Sequence, residues 1–103
     1  MAEEGKNKIE KFNGKNYQHW KRQIEDYLYQ KDLYLPLEGI EKKPTTMTED
    51  AWKVLDRKAL GTVRLNLAST VAFNITEQKT TKDLMASLVA LYEKPSASNK
   101  VFL

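Results

Sequence analysis

Few side chains in this 103-residue chain have the type and spacing that catalysis or metal binding requires. The sequence has one histidine, His19, and no cysteine, so it offers neither the Cys/His ligand set of a zinc site nor a thiol nucleophile. Paired acids occur as the sequence neighbours Glu25-Asp26 and Glu49-Asp50, and neighbours on a helix diverge by about a third of a turn. Neither a Gly-x-Ser-x-Gly elbow nor a phosphate-binding glycine loop is present. We therefore expect no catalytic residue, no metal site, no cofactor, no small-molecule substrate and no enzyme activity, and we expect His19 at or near the surface.

A basic stripe is the other candidate functional feature. Lys53, Arg57 and Arg64 are spaced by four and seven residues, which places them on one face of a helix. With Arg22 they form the candidate surface for a partner or a polyanion. The three charges of the stripe, Lys53, Arg57 and Arg64, would bind nucleic acid weakly and with strong salt dependence. No aromatic residue interleaves with them to stack on bases. The alternatives are a solvated face with local ion pairs, for instance to Asp56, or the polar rim of an assembly contact.

The net charge of +3 is distributed unevenly along the chain. Residues 1–22 carry six Lys/Arg and three Asp/Glu, residues 23–52 carry three and seven, and residues 53–103 carry eight and four. A nucleic-acid-binding domain usually concentrates its basic residues on one face or in one run. Here they are dispersed among acids, so we expect at most weak binding to polyanions such as RNA.

The elements that position these residues begin near the N-terminus. Asn13-Gly14 predicts a turn, because both residue types tolerate positive φ. A helix is predicted from about Tyr17 to Gln30, with the Asn16 side chain as its N-cap and Phe12 folded back onto its first turns. Its apolar face, around whose tryptophan we expect the core to form, consists of Tyr17, Trp20, Ile24, Tyr27 and Leu28.

The connection over residues 31–47 contains Pro36, Gly39 and Pro44, which should stop any helix. Its apolar residues are too numerous for a fully solvated loop: Leu33, Leu35, Leu37 and Ile40. One interpretation is a loop strapped across the core. The other is an exposed apolar edge that recruits a partner.

A second helix is predicted to begin at Thr46 or Thr48, because Thr46-x-x-Glu49 has the pattern of a capping box, and to end near residues 68–69. Its apolar stripe consists of Trp52, Leu55, Ala59, Val63 and Leu67. Gly61 lies inside the helix at a cost of roughly 1 kcal/mol relative to alanine. We interpret it as a site of close helix–helix approach.

A short helix or turn is predicted over residues 69–75, and a third long helix after Thr80 or Thr81, ended by Pro95. The fold class predicted is all-α, a small bundle of three long helices and one or two short ones with an extended N-terminal segment. The predicted core consists of Phe12, Tyr17, Trp20, Ile24, Trp52, Leu55, Val63, Leu67, Leu84, Leu88 and Leu91.

The domain boundaries predicted are a flexible tail over residues 1–10, a helical domain over 11–95 and the start of a further helix over 96–103. The apolar ending Val101-Phe102-Leu103 suggests that this further helix is truncated. No apolar run reaches membrane-spanning length and the N-terminus lacks a signal peptide's hydrophobic region, so we expect a cytoplasmic protein without membrane contact.

The order of short motifs resembles one family. The motifs are Phe12-Asn13-Gly14-x-Asn16-Tyr17-x-x-Trp20, Leu33-x-x-Pro36, Trp52, Leu55-Asp56-Arg57, Val63-Arg64-Leu65-Asn66-Leu67, Leu91-Tyr92 and Asn99-Lys100-Val101-Phe102-Leu103. In this order and spacing they resemble the N-terminal part of the Gag region of copia-type LTR retrotransposons, especially those of plants. The resemblance covers residues 9 to 103.

This resemblance implies a non-enzymatic, capsid-type structural domain whose partners are copies of itself. In such Gag proteins an all-helical N-terminal lobe packs into a particle shell inside the cell, and a second lobe and a zinc knuckle often follow. Neither of those is in this chain, which puts autonomous RNA packaging in doubt, and no protease or polymerase activity carries over. The chain would be a domain of a longer Gag or a shortened Gag gene. A host-adopted fragment acting as a protein-interaction module is the alternative, as is a weak nucleic-acid-binding domain.

Overall fold

The computed structural model describes residues 9–75 and 77–93, and within them the chain folds into five α-helices without a β-sheet. These are α1 (Tyr17–Gln30), α2 (Leu35–Glu38), α3 (Glu49–Leu65), α4 (Ser69–Ala72) and α5 (Thr81–Tyr92), with short 3-10 turns at Ile40–Lys42 and Phe73–Ile75. The predicted all-α class is confirmed. Residues 1–8 of the predicted tail and the predicted further helix over 96–103 lie outside the described residues.

Helix α1 has the predicted bounds but not the predicted cap. Asn16 adopts the left-handed conformation (φ 57°, ψ 49°), and its side chain accepts no hydrogen bond from the helix. Asn13 instead accepts from the Lys15 backbone N–H at 3.1 Å, which closes the turn before the helix. At the other end Asp32, at φ 61°, reverses the chain, and the Leu33 N–H bonds the Leu28 carbonyl at 2.7 Å, as in a Schellman motif.

The connection after α1 contains a helix, α2, that was not predicted from the sequence. Pro36 lies in the first turn of α2, where its missing N–H costs no helical hydrogen bond. Leu33 and Leu37 pack against the core, as a strap would, whereas Ile40 is 60% exposed. Gly39 is buried at φ 96°, and a Cβ there would lie 2.8 Å from Cδ of Lys82 on α5.

Helix α3 is capped by Thr48 and not by Thr46, since the Thr48 hydroxyl accepts from the Ala51 N–H at 3.0 Å. It ends at residue 65 and not, as predicted, near residues 68–69. The reason is tertiary: Phe12 forms a parallel β-bridge with Leu67, donating to the Asn66 carbonyl at 2.9 Å and accepting from the Ala68 N–H at 2.8 Å. The backbone groups at 66–68 therefore pair with the N-terminal segment instead of continuing the helix.

Helix α5 begins where predicted. The Thr80 side chain accepts from the Asp83 N–H at 3.1 Å, and the helix ends at Tyr92. Gly61, by contrast, is not a point of helix–helix approach: a Cβ there would meet only the Arg57 guanidinium, at 3.1 Å.

One contiguous core joins the N-terminal segment and the helices. Its buried members are Phe12, Tyr17, Trp20, Ile24, Leu28, Ala59, Leu60, Val63, Leu67, Val71, Ile75, Leu84, Met85 and Leu88. Trp52 is also buried, at 3% exposure, but lies outside this contiguous cluster. Ile9 packs against the cluster from its edge.

Two predicted core residues lie elsewhere. Leu91 is 52% exposed: it shares a face of α5 with Leu84 and Leu88, but it lies in the last turn of the helix, which ends at Tyr92. Leu55 is only half-buried and is not part of the contiguous cluster. The prediction of Leu91 as a core residue is therefore wrong, and that of Leu55 is wrong for the contiguous core.

Candidate functional site

A groove of about 520 Å³ lies between the α2 region, α3 and the N-terminus of α5. Its lining combines apolar groups with charges of both signs. The lining residues are Pro36, Gly39, Ile40, Glu41, Trp52, Lys53, Asp56, Arg57, Lys79, Thr80, Lys82 and Asp83.

A polar link between α3 and α5 forms part of the groove. The fully buried Thr81 donates its backbone N–H to an Asp56 carboxylate oxygen at 2.9 Å and its hydroxyl to the same oxygen at 2.6 Å. Asp56 thereby binds a free amide in the first turn of α5, where the helix dipole favours a negative charge. This role was not predicted from the sequence, in which Asp56 was expected only as a local ion-pair partner of the basic stripe. The signal was its position one helical turn after Trp52, on the buried side of α3.

The groove gathers only half of the predicted basic surface. Lys53 and Arg57 line it, both exposed, and Lys79 and Lys82 join them from the segment around the start of α5. Lys82 lies 3.9 Å from Glu41, and both side chains are exposed, so this pair contributes little. Three carboxylates among four cations leave the groove with mixed charge, which is a poor match for a polyanion.

The other two predicted basic residues lie apart. Arg64 is half-buried, and its guanidinium donates to the Gln78 backbone carbonyl at 2.9 Å, which holds the segment before α5 against α3. Arg22 is exposed on α1 and does not line the groove. The four residues therefore do not form one continuous surface.

The titratable residues near the start of α1 form no reactive constellation. His19 is exposed, and within residues 9–75 and 77–93 no group of three or more His, Asp or Glu side chains could hold a metal ion. Burial, followed by the Glu93 and Glu25 carboxylates, raises the pKa of Tyr17 to about 12. Its hydroxyl and the Trp20 indole N–H are buried and have no hydrogen-bond partner in the described part of the chain. Tyr17 therefore remains protonated at neutral pH.

The outward side of α3 carries exposed apolar residues. Val54 is 55% and Leu65 76% exposed, and Gly61 lies between them on the same side. Asp50 and Lys58, both exposed, flank Val54 at one helical turn on either side. No described element covers this side of the helix. In the described residues, no helix is long and apolar enough to span a bilayer.

Comparison with known proteins finds a match over nearly all of this chain. The chain is 35% identical over 99 residues to the retrovirus-related Pol polyprotein from transposon TNT 1-94 of Nicotiana tabacum. The match covers 95% of this chain but only 8% of the relative. No family model matches the chain, and no solved structure matches it.

The matched part of the relative is its N-terminal, Gag-like region and not its enzymatic part. Since this similarity extends over nearly all of the chain and accompanies an all-α fold, the motif resemblance found in the sequence is confirmed. The chain is therefore a relative of the N-terminal, Gag-like region of a copia-type retrotransposon polyprotein, and this similarity supports a Gag-like structural role.

Proposed function

We propose that this chain is a non-enzymatic capsid-type domain that associates with copies of itself to form the shell of an intracellular, cytoplasmic particle. The observation that carries the proposal is the 35% identity to the Gag-like region of a retrotransposon polyprotein over 95% of the chain. Large apolar side chains exposed on several elements, among them Val54, Leu65 and Phe73, agree with it, since such groups commonly mark contact surfaces.

The mechanism is many weak contacts that are repeated by symmetry. A single lobe contact need not be strong, because a closed arrangement links each copy to several others and adds their effects. Catalysis has no part in this proposed mechanism.

Sedimentation velocity over a wide range of protein concentration tests the proposal. We expect the mean sedimentation coefficient to rise reversibly with concentration, and negative-stain images at high protein and salt concentration to contain regular assemblies. A protein that remains strictly monomeric at about millimolar concentration, where even a weak contact of about −4 kcal/mol is half-formed, would contradict assembly by this lobe.

A second candidate function, weak binding of RNA, rests on the four cations that line the groove, Lys53, Arg57, Lys79 and Lys82, and the three carboxylates among them limit its affinity. We expect a shallow affinity that disappears as salt is raised. Arg57→Glu should weaken RNA binding at low salt more than Arg22→Glu, because Arg22 lies outside the groove. Absence of measurable binding at low salt would remove this candidate.

A further inference from the structure

The outward side of α3 has a distribution of charge that matches a second copy of itself. At about 100° per residue, the buried residues Trp52, Ala59 and Val63 lie on one side of the helix, and Val54 and Gly61 lie on the opposite side. This outward side is not covered by any described element. It therefore presents an apolar centre at Val54, which is 55% exposed, to whatever the protein contacts.

The charges on this side change sign along the helix. Asp50 lies one turn before Val54, and Lys58 lies one turn after it. Both side chains are exposed, and no salt bridge within 4 Å engages either of them in the described part of the chain. The same surface thus carries a negative group, an apolar group and a positive group at equal spacing.

We infer that α3 is an assembly contact, in which it packs antiparallel against α3 of a second copy with Val54 of each copy at the centre. The inference rests on the proposed self-association. In this arrangement Asp50 of each copy lies opposite Lys58 of the other, so two opposite-charge pairs flank an apolar centre. The two helix dipoles also oppose each other. The contact is isologous, because one surface meets its own copy about a twofold axis.

Charge distinguishes this register from its alternatives. Parallel packing would place Asp50 beside Asp50 and Lys58 beside Lys58. An antiparallel register that opposes Val54 to Gly61 would place Arg57 of one copy against Lys58 of the other. Like charges across an interface exclude a register, and opposite charges select one. The register centred on Val54 avoids both repulsions.

The contact is small, and smallness suits the proposed function. Helix α3 has 17 residues and spans about 25 Å, so one helix pair buries less than the roughly 1,200 Å² of a standard stable interface. Such a contact forms and breaks readily on its own. Repetition in a shell is what would make it persistent.

Charge reversal tests the inference. In Asp50→Lys both groups that flank Val54 are positive, and in Lys58→Glu both are negative, so each variant alone should associate at least about tenfold more weakly than the unchanged protein. Mixed in equal amounts, the two variants should pair with each other. The lysine introduced at position 50 of one variant then faces the glutamate introduced at position 58 of the other, and the remaining native Lys58 and Asp50 face each other.

Sedimentation of the single variants and of their mixture measures both effects. Arg22→Glu and Asp26→Lys, which are matched charge reversals at α1 positions outside the contact, are the controls and should associate normally. Circular dichroism of each variant verifies folding, which should be retained because Asp50 and Lys58 are exposed.

Each outcome has a definite meaning. If the unchanged protein associates and both reversed variants associate equally well, the α3 contact is wrong and the proposed function stands. Weakened variants that do not recover when mixed would overturn the antiparallel register. An unchanged protein that never associates would overturn the proposed function together with the contact.

Discussion

At the scale of single residues, Phe12 connects several elements of the fold. Its ring stacks on Trp20 at 5.1 Å between centroids and meets the edges of Tyr17 at 5.5 Å and Tyr92 at 5.0 Å. Its backbone forms the bridge to Leu67 at the end of α3. One residue therefore fastens the N-terminal segment to the beginning of α1, the end of α3 and the end of α5.

Replacement of Phe12 by alanine should lower the free energy of unfolding by roughly 3–5 kcal/mol, because it removes a ring from a residue that is only 2% exposed and leaves a cavity among three aromatic neighbours. Urea denaturation followed by circular dichroism measures this loss. The control is Phe73→Ala, which removes the same group from a position that is 80% exposed and should change stability by no more than about 0.5 kcal/mol. Similar losses for the two variants would show that burial does not determine the cost.

Tyr17 gives a prediction for alkaline pH. Its pKa, raised to about 12 by burial first and by the Glu93 and Glu25 carboxylates next, exceeds the ordinary 10.0 that we take for the unfolded chain. The folded protein therefore retains a proton that the unfolded chain loses, so the stabilising effect is complete below pH 10 and declines as pH rises toward 12.

The measurement is chemical denaturation of the unchanged protein and of Tyr17→Phe at several pH values between 8 and 12. This pH range spans the rise of the Tyr17 pKa from 10.0 to about 12. The variant should lose less stability across the upper part of this range, since it lacks the titrating group. A spectroscopic titration that finds every tyrosine ionising near pH 10 would contradict the raised pKa.

At the scale of elements, glycine is required at one turn and merely tolerated in one helix. Gly39 ends α2 at φ 96° and ψ 165°, a conformation nearly confined to glycine, and lies against the Lys82 side chain. Gly61 has ordinary helical geometry inside α3 and meets only the flexible end of Arg57. The two positions therefore respond in opposite directions to the same substitution.

Gly39→Ala should destabilise the protein by about 1–3 kcal/mol, through backbone strain together with the 2.8 Å approach of the new Cβ to Lys82. Gly61→Ala should be neutral or stabilising by up to about 1 kcal/mol, because alanine has the higher helix propensity and Arg57 can move. Thermal denaturation of dilute protein compares them directly. Stabilisation by the alanine at position 39 would show that this turn is not strained.

At the scale of the whole molecule, the three long helices contribute to one contiguous core, so the described part of the chain should unfold as a unit. Trp52 provides a strict test of this cooperative unfolding, because it is buried outside the contiguous cluster whereas Trp20 lies inside it. In Trp20→Phe, tryptophan fluorescence reports Trp52 alone. The urea transition measured by this fluorescence should coincide with the transition measured by far-ultraviolet circular dichroism of the same variant. An earlier fluorescence transition would mean that the groove around Trp52 opens separately.

Much of the fold was predictable, because it depends on local signals. Helical spacing of apolar residues identified α1 with correct bounds, and the threonine before α5 marked its start. Helix α2 was missed because Pro36 usually breaks a helix, and only its place in a first turn makes it compatible with one. The Gag-type character followed from motif order, which is a property of sequence alone.

The candidate site was less predictable, because its geometry depends on residues far apart in the sequence. The spacing that grouped Lys53, Arg57 and Arg64 was correct for an isolated helix. In the folded protein, however, Arg64 donates to the Gln78 carbonyl, and only Lys53 and Arg57 line the groove. In the same way, the spacing of Asp56 from Trp52 places it toward the buried side of α3, but the local sequence does not identify its partner in the first turn of α5.

The sequence by itself determined the helical class, the span of α1, most of the buried positions and the family. Only the tertiary structure decided where α3 ends, which basic residues share a surface and which side of α3 stays uncovered. The physical reason is the range of the interactions: helix periodicity and capping act over a few residues, whereas the Phe12–Leu67 bridge and the Asp56–Thr81 link exist only after distant segments meet.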